Sequence, residues 1–335
     1  MKLRDYVLIR VLLSIPMILI LLSVVFLILR VIPGDPVVAI LGPKAPPEQV
    51  EELREKLGLN DPIYVQYFKY LGGLIRGNLG ESILTGRSVS EEILERFPAT
   101  LELSIVSMTI ASLLGVFLGV ESSRRRNSPV DVSIRVYSLA IYSIPIFWLG
   151  LMFQLIFGKY LGVLPISGRI SPLMEPERIT GLYLVDSILE LNLRAFLDSL
   201  EHLILPSLTL GLVLSGVVVR MTRANMLEVL EKDFILASRA RGVVERRVIY
   251  KDALKNALIP VITMMGLQFA LLMGGAVLTE TTFSWPGIGS YLIMRIGYRD
   301  FSAVQGAIVF YAILVASISV LVDIICAYID PRVRY

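Results

Sequence analysis

Few side chains in this sequence could carry out covalent chemistry. Its 335 residues include one histidine, His202, and one cysteine, Cys326, so an intrachain disulfide is impossible. A metal site or a catalytic triad would have to rest on His202 alone, and we expect that residue to make a structural hydrogen bond instead. The sequence contains no Gly-x-Ser-x-Gly elbow. An intramembrane serine hydrolase therefore stays only a remote alternative.

Polar side chains inside apolar runs are the other candidates, because they are rare there and often functional. Gln154 and Gln268 could line a pathway for a solute and hydrogen-bond passing amides or hydroxyls. Either could equally make an interhelical hydrogen bond, worth about 0.6–2 kcal/mol in lipid. Asp323 is expected to pair with a basic neighbour, and Gly274 and Gly275 to permit close helix packing.

The elements that must position these residues are membrane helices. The chain is 55% hydrophobic and only 18% charged, and its mean hydropathy is +0.71. About 20 apolar residues cross a bilayer as a helix. Six segments meet that length: 9–30, 100–120, 134–157, 204–222, 258–280 and 304–328. No small-residue cleavage site follows the first one, which predicts a retained helix rather than a signal peptide.

Basic residues in the loops predict the orientation of the chain. The loop 121–135 contains "SRRRN", the loop 220–257 has nine basic residues against five acidic, and the tail reads "DPRVRY". The long loops 31–98 and 158–203 have ten acids against seven bases and six against four. The positive-inside rule then places both termini in the cytoplasm of a multi-pass plasma-membrane protein. A net charge of +3 gives no reason to expect a nucleic-acid partner.

The first external loop is predicted to fold into a small helical module. "PPEQVEELREKLGL" and "DPIYVQYFKYLGGLI" have helical start signals and apolar spacing, and Ser90 is a candidate N-cap for a third helix. We therefore divide the chain into 1–98, a first membrane helix with its external module, and 99–335, a five-helix core. "TTFSWPGIGSY" follows the fifth span; Trp285 fits the interfacial belt, and Pro286, Gly287 and Gly289 predict a turn, either ordinary or beside an external gate.

A charged segment, 233–260, separates two apolar spans. Residues 233–241 predict a short helix that Gly242 stops, and 245–256 a second helix with one apolar and one basic face. Pro260 is expected in the first turn of the fifth span. Two interpretations remain open: a basic loop resting on anionic lipid, or a rigid element that transmits movement to the spans.

The motifs resemble those of a known family. Ala237, Ser238 and Gly242 followed by "ALKNALIP" resemble the cytoplasmic signature loop of ABC importer permeases, in the spacing of the dipeptide/oligopeptide branch. "VIPGDPV", "EKLGLNDPIYVQY", "RFPATLELS", "HLILPSLTL", "ETTFSWPGIG" and "DPRVRY" agree in colinear order, as in a first permease subunit. The chain departs from the pattern at Leu236, Ser238 and Asp252, which puts specific polar contacts there in doubt.

The resemblance implies an all-α, six-helix type I permease that forms half of a pathway by alternating access. Ala237, Ser238, Arg239, Arg241 and Gly242 would contact an ATPase subunit, although the two arginines could equally meet lipid phosphates. The implied partners are a second homologous permease, two ATPase subunits, an external substrate-binding protein and the bilayer. The chain has no Gly-x-x-x-x-Gly-Lys-Ser/Thr loop, so ATP and Mg would sit on the partners and this subunit would be no enzyme.

Peptides are the expected cargo, with oligosaccharides or a nickel complex as alternatives. A passive channel, which would pass cargo without ATP, is a third function class.

Overall fold

The computed structural model describes residues 3–31, 45–56 and 58–329, with residues 37 and 42 between the first two ranges. Helices are the only regular secondary structure in these ranges, apart from one isolated β-bridge between Glu81 and Ser88. In chain order they are α1 Leu3–Val31, α2 Pro47–Lys56, α3 Ile63–Ile75, α4 Val89–Arg124, α5 Pro129–Ser143, α6 Ile146–Tyr160, α7 Tyr183–Leu189, α8 Leu193–Leu230, α9 Asp233–Ala240, α10 Glu245–Met273, α11 Val277–Thr282, α12 Ile288–Gly297 and α13 Phe301–Ile329.

The predicted membrane spans correspond to α1, α4, the α5–α6 pair, α8, α10 and α13. Within the described ranges, α4, α8, α10 and α13 are each long and apolar enough to cross a bilayer, and α5 with α6 counts as a fifth. The first predicted span lies in α1, a helix of 29 residues whose described apolar stretch is Leu12–Ile28. At 1.5 Å per residue, α1 is about 43 Å long, more than the hydrocarbon core needs.

The third predicted span is not one straight helix. α5 and α6 meet at an angle of 97°, so the prediction of a continuous span over 134–157 was wrong. The break falls at Ile144, which has extended backbone angles, and at Pro145. Proline disfavours helical geometry in the residue before it and cannot donate the hydrogen bond that would continue the helix.

The fifth span also differs from its prediction. The expected second helix of the charged segment is continuous with the span, because α10 runs unbroken from Glu245 to Met273 and includes a π-helical turn, Val248–Ala253. Pro260 therefore lies well inside a helix rather than in its first turn. A membrane helix tolerates such a proline when its neighbours and local π-helical adjustments satisfy the released carbonyl groups.

Close packing of α4 against α8 forms the centre of the molecule. Gly115 and Gly119, spaced as Gly-x-x-x-Gly on α4, allow it: a Cβ atom on Gly115 would lie 2.4 Å from Val218 Cβ, and one on Gly119 would lie 2.5 Å from Thr222 Cβ. Small residues at this spacing let membrane helices approach backbone to backbone. The sequence analysis did not identify this pair, although the spacing is visible in "GVFLG".

Buried ion pairs join the start of α4 to α12 and to the residue before α13. Glu92 and Arg295 are each 3% exposed and lie 2.7 Å apart, and Arg295 also lies 3.6 Å from Asp300. The N-cap of α4 is Ser88, two residues before the predicted Ser90, because Val89 and not Glu91 begins the helix. Ser90 instead donates a hydrogen bond to Gly77 O. The domain division at residue 98 stays a prediction, and the "DPRVRY" tail lies outside the described residues.

Candidate coupling site and gate segment

The charged segment 233–260, called the coupling segment below, consists of a short helix, a tight turn and the start of a long helix. α9 ends at Ala240, and Gly242 follows with φ +75°, the left-handed conformation that glycine adopts without strain. Gly242 N donates to Arg239 O (2.9 Å) and Val243 N donates to Ser238 O (3.2 Å), which closes the end of the helix. The prediction that Gly242 stops this helix is confirmed.

One face of α9 packs into a hydrophobic cluster shared by four helices. Ile235 is buried beside Val120 of α4, Met226 and Val229 of α8, and Ile249 of α10. The predicted apolar face of the second helix is confirmed, since Ala253 and Ala257 belong to the same cluster. α9 is therefore packed against the ends of three membrane helices.

The opposite face of α9 is open. Phe234, Leu236, Ala237 and Ala240 are exposed, and Val244, just after the turn, is 73% exposed. The apolar character of this face was not predicted, because small and basic residues dominate the segment in the sequence. One residue in the sequence does indicate an apolar face, because Leu236 stands where the family signature has glutamate.

The five predicted coupling residues occupy different environments. Ala237 and Gly242 are exposed, whereas Ser238 is only 6% exposed and faces the packed interior. Arg239 makes two hydrogen bonds to the Glu245 carboxylate (2.7 and 3.2 Å), which bridge the turn. The Arg241 guanidinium donates weakly to Ala237 O (3.3 Å) and Ser238 Oγ (3.4 Å).

Burial, charge and hydrogen bonding also fix the neighbouring loop between α4 and α5. Asp131 is completely buried and accepts a bidentate pair from Arg223 of α8, with both bonds 2.8 Å long. Ser122 donates to the same carboxylate, and the backbone N–H of Asn127 does so at 3.0 Å. One carboxylate thus joins the ends of α4, α5 and α8 beside the coupling segment.

A buried carboxylate, that of Glu280 in α11, forms a second candidate site just beyond the other end of α10. This carboxylate is fully buried and accepts hydrogen bonds from Thr100 Oγ1 (2.8 Å) and Ser290 N (2.8 Å). It therefore sits at the N-terminus of α12, where unpaired backbone N–H groups favour a negative charge. The sequence analysis missed Glu280, because its position beside a helix that starts eight residues later is a tertiary feature.

The carboxylate also explains the glycines of "SWPGIG". A Cβ atom on Gly287 would lie 2.5 Å from Glu280 Oε1, and one on Gly289 would lie 2.9 Å from Oε2. Trp285 is completely buried and donates from Nε1 to Ala99 O (2.9 Å), so its predicted place in the interfacial belt was wrong. Gly275 makes a close approach, as expected, since its Cβ would lie 2.5 Å from Tyr311 Oη.

The two predicted pathway residues lie on different helices, α6 and α10. Gln154 Nε2 donates to Ile166 O (2.7 Å) and Thr282 O (2.9 Å), which ties α6 to α11. Gln268 is half-buried on α10, and a pathway role for either stays a prediction. Asp323 lines a 510 Å³ groove between α1 and α13. His202 Nδ1 lies 2.9 Å from Asp198 O, the structural contact expected from the sequence.

Among the described residues, no group of three or more His, Cys, Asp or Glu side chains could hold a metal ion. Helices of membrane-spanning length and a helix–turn–helix fixed to their ends define a multi-pass membrane subunit of a transporter. The chain belongs to the family described as binding-protein-dependent transport system inner membrane component, which matches residues 111–335; the N-terminal family of the same systems matches residues 3–104. Membership implies ATPase and substrate-binding partners in general and a place in the plasma membrane.

Curated relatives match nearly the whole chain. The di/tripeptide transport system permease protein DppB of Pseudomonas aeruginosa is 46% identical over 92% of this chain and 93% of its own length. The dipeptide transport system permease protein DppB of Alkalihalophilus pseudofirmus is 44% identical over 98% and 99%. The glutathione transport system permease protein GsiC of Salmonella paratyphi A is 37% identical over 99% of both.

A solved structure supports the type I permease fold. The inward-facing MetNI methionine ABC transporter aligns with a TM-score of 0.54 at 19% identity, over 71% of this chain and 96% of the matching chain. At that identity the comparison speaks for the fold alone.

Proposed function

We propose that this chain is a permease subunit of an ATP-driven importer of short peptides. The observation that carries the proposal is the α9–turn–α10 element, which is packed on the ends of α4 and α8 and leaves an open apolar face. Relatives that are named as dipeptide, di/tripeptide and glutathione permeases support the peptide class of cargo. Oligosaccharides or a nickel complex stay alternative cargoes for the same machinery.

In this proposal two homologous permeases form the pathway, and two ATPase subunits below them hold ATP and Mg. Both termini lie in the cytoplasm, and a binding protein delivers cargo from outside. ATP-driven closure of the ATPase pair moves α9, and the cluster around Ile235 transmits that movement to α4, α8 and α10. The exposed Phe234, Leu236 and Ala237 are the surface that an ATPase groove would bury. The chain itself hydrolyses nothing.

The test is purification of tagged chain from its native membrane, followed by measurement of the ATP hydrolysis that accompanies it. We expect ATPase subunits to co-purify with the wild type and to be lost from Gly242→Pro and from a variant with residues 237–242 scrambled. Gly297→Ala is the control, because a Cβ there meets nothing within 4 Å. A wild-type chain that arrives without ATPase in mild detergent would contradict the proposal and leave a channel as the next candidate.

Cargo needs a separate assay on the partner binding protein. We expect di- and tripeptides to compete for its site and oligosaccharides and nickel complexes not to. The opposite ranking would keep the transport machinery and change its cargo.

A further inference from the structure

A cavity of about 940 Å³ opens beside the coupling segment. Its walls come from the end of α4 and the following loop, the end of α8, α9 and the start of α10. The lining residues that matter here are Arg124, Arg126, Arg239, Arg246, Glu231 and Glu245, together with an apolar wall of Leu227, Leu230 and Ile249. Four guanidinium groups therefore face two carboxylates around one space.

Two of the arginines are already neutralised. Arg126 pairs with Glu231 at 2.8 Å, and Arg239 pairs with Glu245 at 2.7 Å. Each pair joins two different wall segments. The positive charge that remains belongs to the other two arginines.

Arg246 has no paired anion, and Arg124 shares its anion with a neighbouring arginine. Arg124 lies 3.5 Å from Glu121, but that carboxylate also lies 3.4 Å from Arg125 and accepts a 2.8 Å hydrogen bond from Tyr250. The Arg246 side chain makes no ion pair or hydrogen bond with another residue in the described ranges. The four lining arginines outnumber the two lining carboxylates, so the cavity keeps an excess of positive charge beside an apolar wall.

We propose that this cavity binds a phosphate-bearing anion. The planar forks of arginine match phosphate oxygens, and a tetrahedral anion can accept bonds from several guanidinium groups at once. The cavity has the volume of a small-molecule site. A phospholipid would place the first carbons of its acyl chains against Leu227 and Leu230, whereas free phosphate would use the arginines alone.

Binding would link Arg124 of α4 to Arg246 of α10 and so stabilise the coupling segment in its position. This inference rests on the proposed function only for placing this face in the cytoplasm. Apart from Arg239, the residues that line this cavity were not among the predicted coupling residues.

The experiment uses the transporter complex purified in detergent and stripped of lipid, with thermal unfolding as the readout. It is titrated with short-chain phosphatidylglycerol, with phosphatidylcholine of the same chain length, and with inorganic phosphate. We expect the anionic ligand to raise the midpoint and phosphatidylcholine not to. Equal effects of free phosphate and phosphatidylglycerol identify a soluble phosphate as the ligand; an effect of phosphatidylglycerol alone identifies a lipid.

The variant Arg124→Gln/Arg246→Gln is expected to weaken the apparent affinity about tenfold or more, the effect of about 1.4 kcal/mol of lost charge-assisted bonding. The control Arg247→Gln/Lys255→Gln also removes two positive charges, both from α10, at residues that do not line the cavity. Equal loss in both variants, or no stabilisation of the wild type by either anion, overturns the inference. ATPase co-purification is recorded on the same samples, so a chain that binds the anion without ATPase contradicts the proposed function alone.

Discussion

Glu280 shows how a single buried carboxylate organises the segment after the fifth span. Its oxygens accept hydrogen bonds from Thr100 and from the first turn of α12, and both neighbouring glycines leave room for it. The residue therefore acts as an N-terminal cap supplied from a different helix. The structure thus explains why the motif "ETTFSWPGIG" contains the glutamate Glu280 and the glycines Gly287 and Gly289.

Replacing Glu280 by alanine should destabilise the protein by about 1–3 kcal/mol, the cost of leaving buried hydrogen-bond donors unsatisfied. The donors of Thr100 and Ser290 would stay buried without an acceptor. Thermal unfolding of the purified protein measures this. Glu175→Ala is the control, because that side chain is exposed. Equal midpoints for the two variants would contradict the capping role.

Asp186 should make the loop between α6 and α8 sensitive to acid. Burial alone would raise the pKa of Asp186, but hydrogen bonds from Thr180 N (2.8 Å), Thr180 Oγ1 (2.6 Å) and Gly181 N (2.8 Å) outweigh it and hold the pKa below its ordinary value. The stabilisation is complete above the ordinary carboxyl pKa of about 4 and disappears as pH falls through the lowered pKa.

The variant Asp186→Asn should therefore unfold more easily than the wild type at neutral pH, and the difference should shrink below about pH 4. Thermal midpoints of both proteins between neutral and acidic pH test this. A difference that grows on acidification would reverse the sign of the argument.

At the scale of elements, the turn between α9 and α10 depends on one backbone conformation. Gly242 has φ +75°, and a Cβ there would meet no atom within 4 Å, so any loss on substitution comes from backbone strain and not from a clash. Gly242→Val should weaken retention of ATPase subunits, because a β-branched residue is strained in this conformation by about 1–2 kcal/mol.

Gly242→Asn supplies the matched comparison, since asparagine enters the left-handed region more readily than other residues. We expect it to retain ATPase subunits better than Gly242→Val in the same purification. Similar losses in both would indicate that the side chain, and not the turn, obstructs the contact.

The pairing of α4 with α8 is the second element-scale feature. Gly115→Ala should cost about 1–3 kcal/mol through overpacking, because the new methyl group would lie 2.4 Å from Val218 Cβ. Gly297→Ala adds the same methyl group to open space. Unfolding midpoints of the two variants compare them directly, and a neutral Gly115→Ala would show that α4 and α8 can separate without loss.

At the scale of the whole molecule, the buried ion pair between Glu92 and Arg295 lies at the start of α4, and the turn between α9 and α10 lies near the end of α4. Arg295→Met should destabilise the protein by about 3–5 kcal/mol, because it leaves the buried Glu92 and Asp300 without their cation. The double variant Glu92→Gln/Arg295→Met should lose less than the sum of the single losses. Additive losses in a double-mutant cycle of thermal stability would show that the pair is not coupled.

The sequence by itself determined the membrane class, the approximate position of each span and the stop at Gly242. Those features depend on local quantities: the length of an apolar run, charge in short loops, and the backbone freedom of glycine. The family resemblance followed from colinear motifs and was borne out by relatives that match nearly the whole chain.

Only the tertiary structure decided the bend at Pro145, the continuity of α10 through Pro260, the buried place of Trp285 and the inward face of Ser238. Each proline could have broken its helix or been accommodated within it, and that outcome depends on whether neighbouring helices satisfy the released carbonyl groups. Likewise, the meeting of Glu280 with α12 and of four arginines around one cavity joins residues far apart in sequence. Local patterns carry no information about such distances, because they are set by how the helices pack.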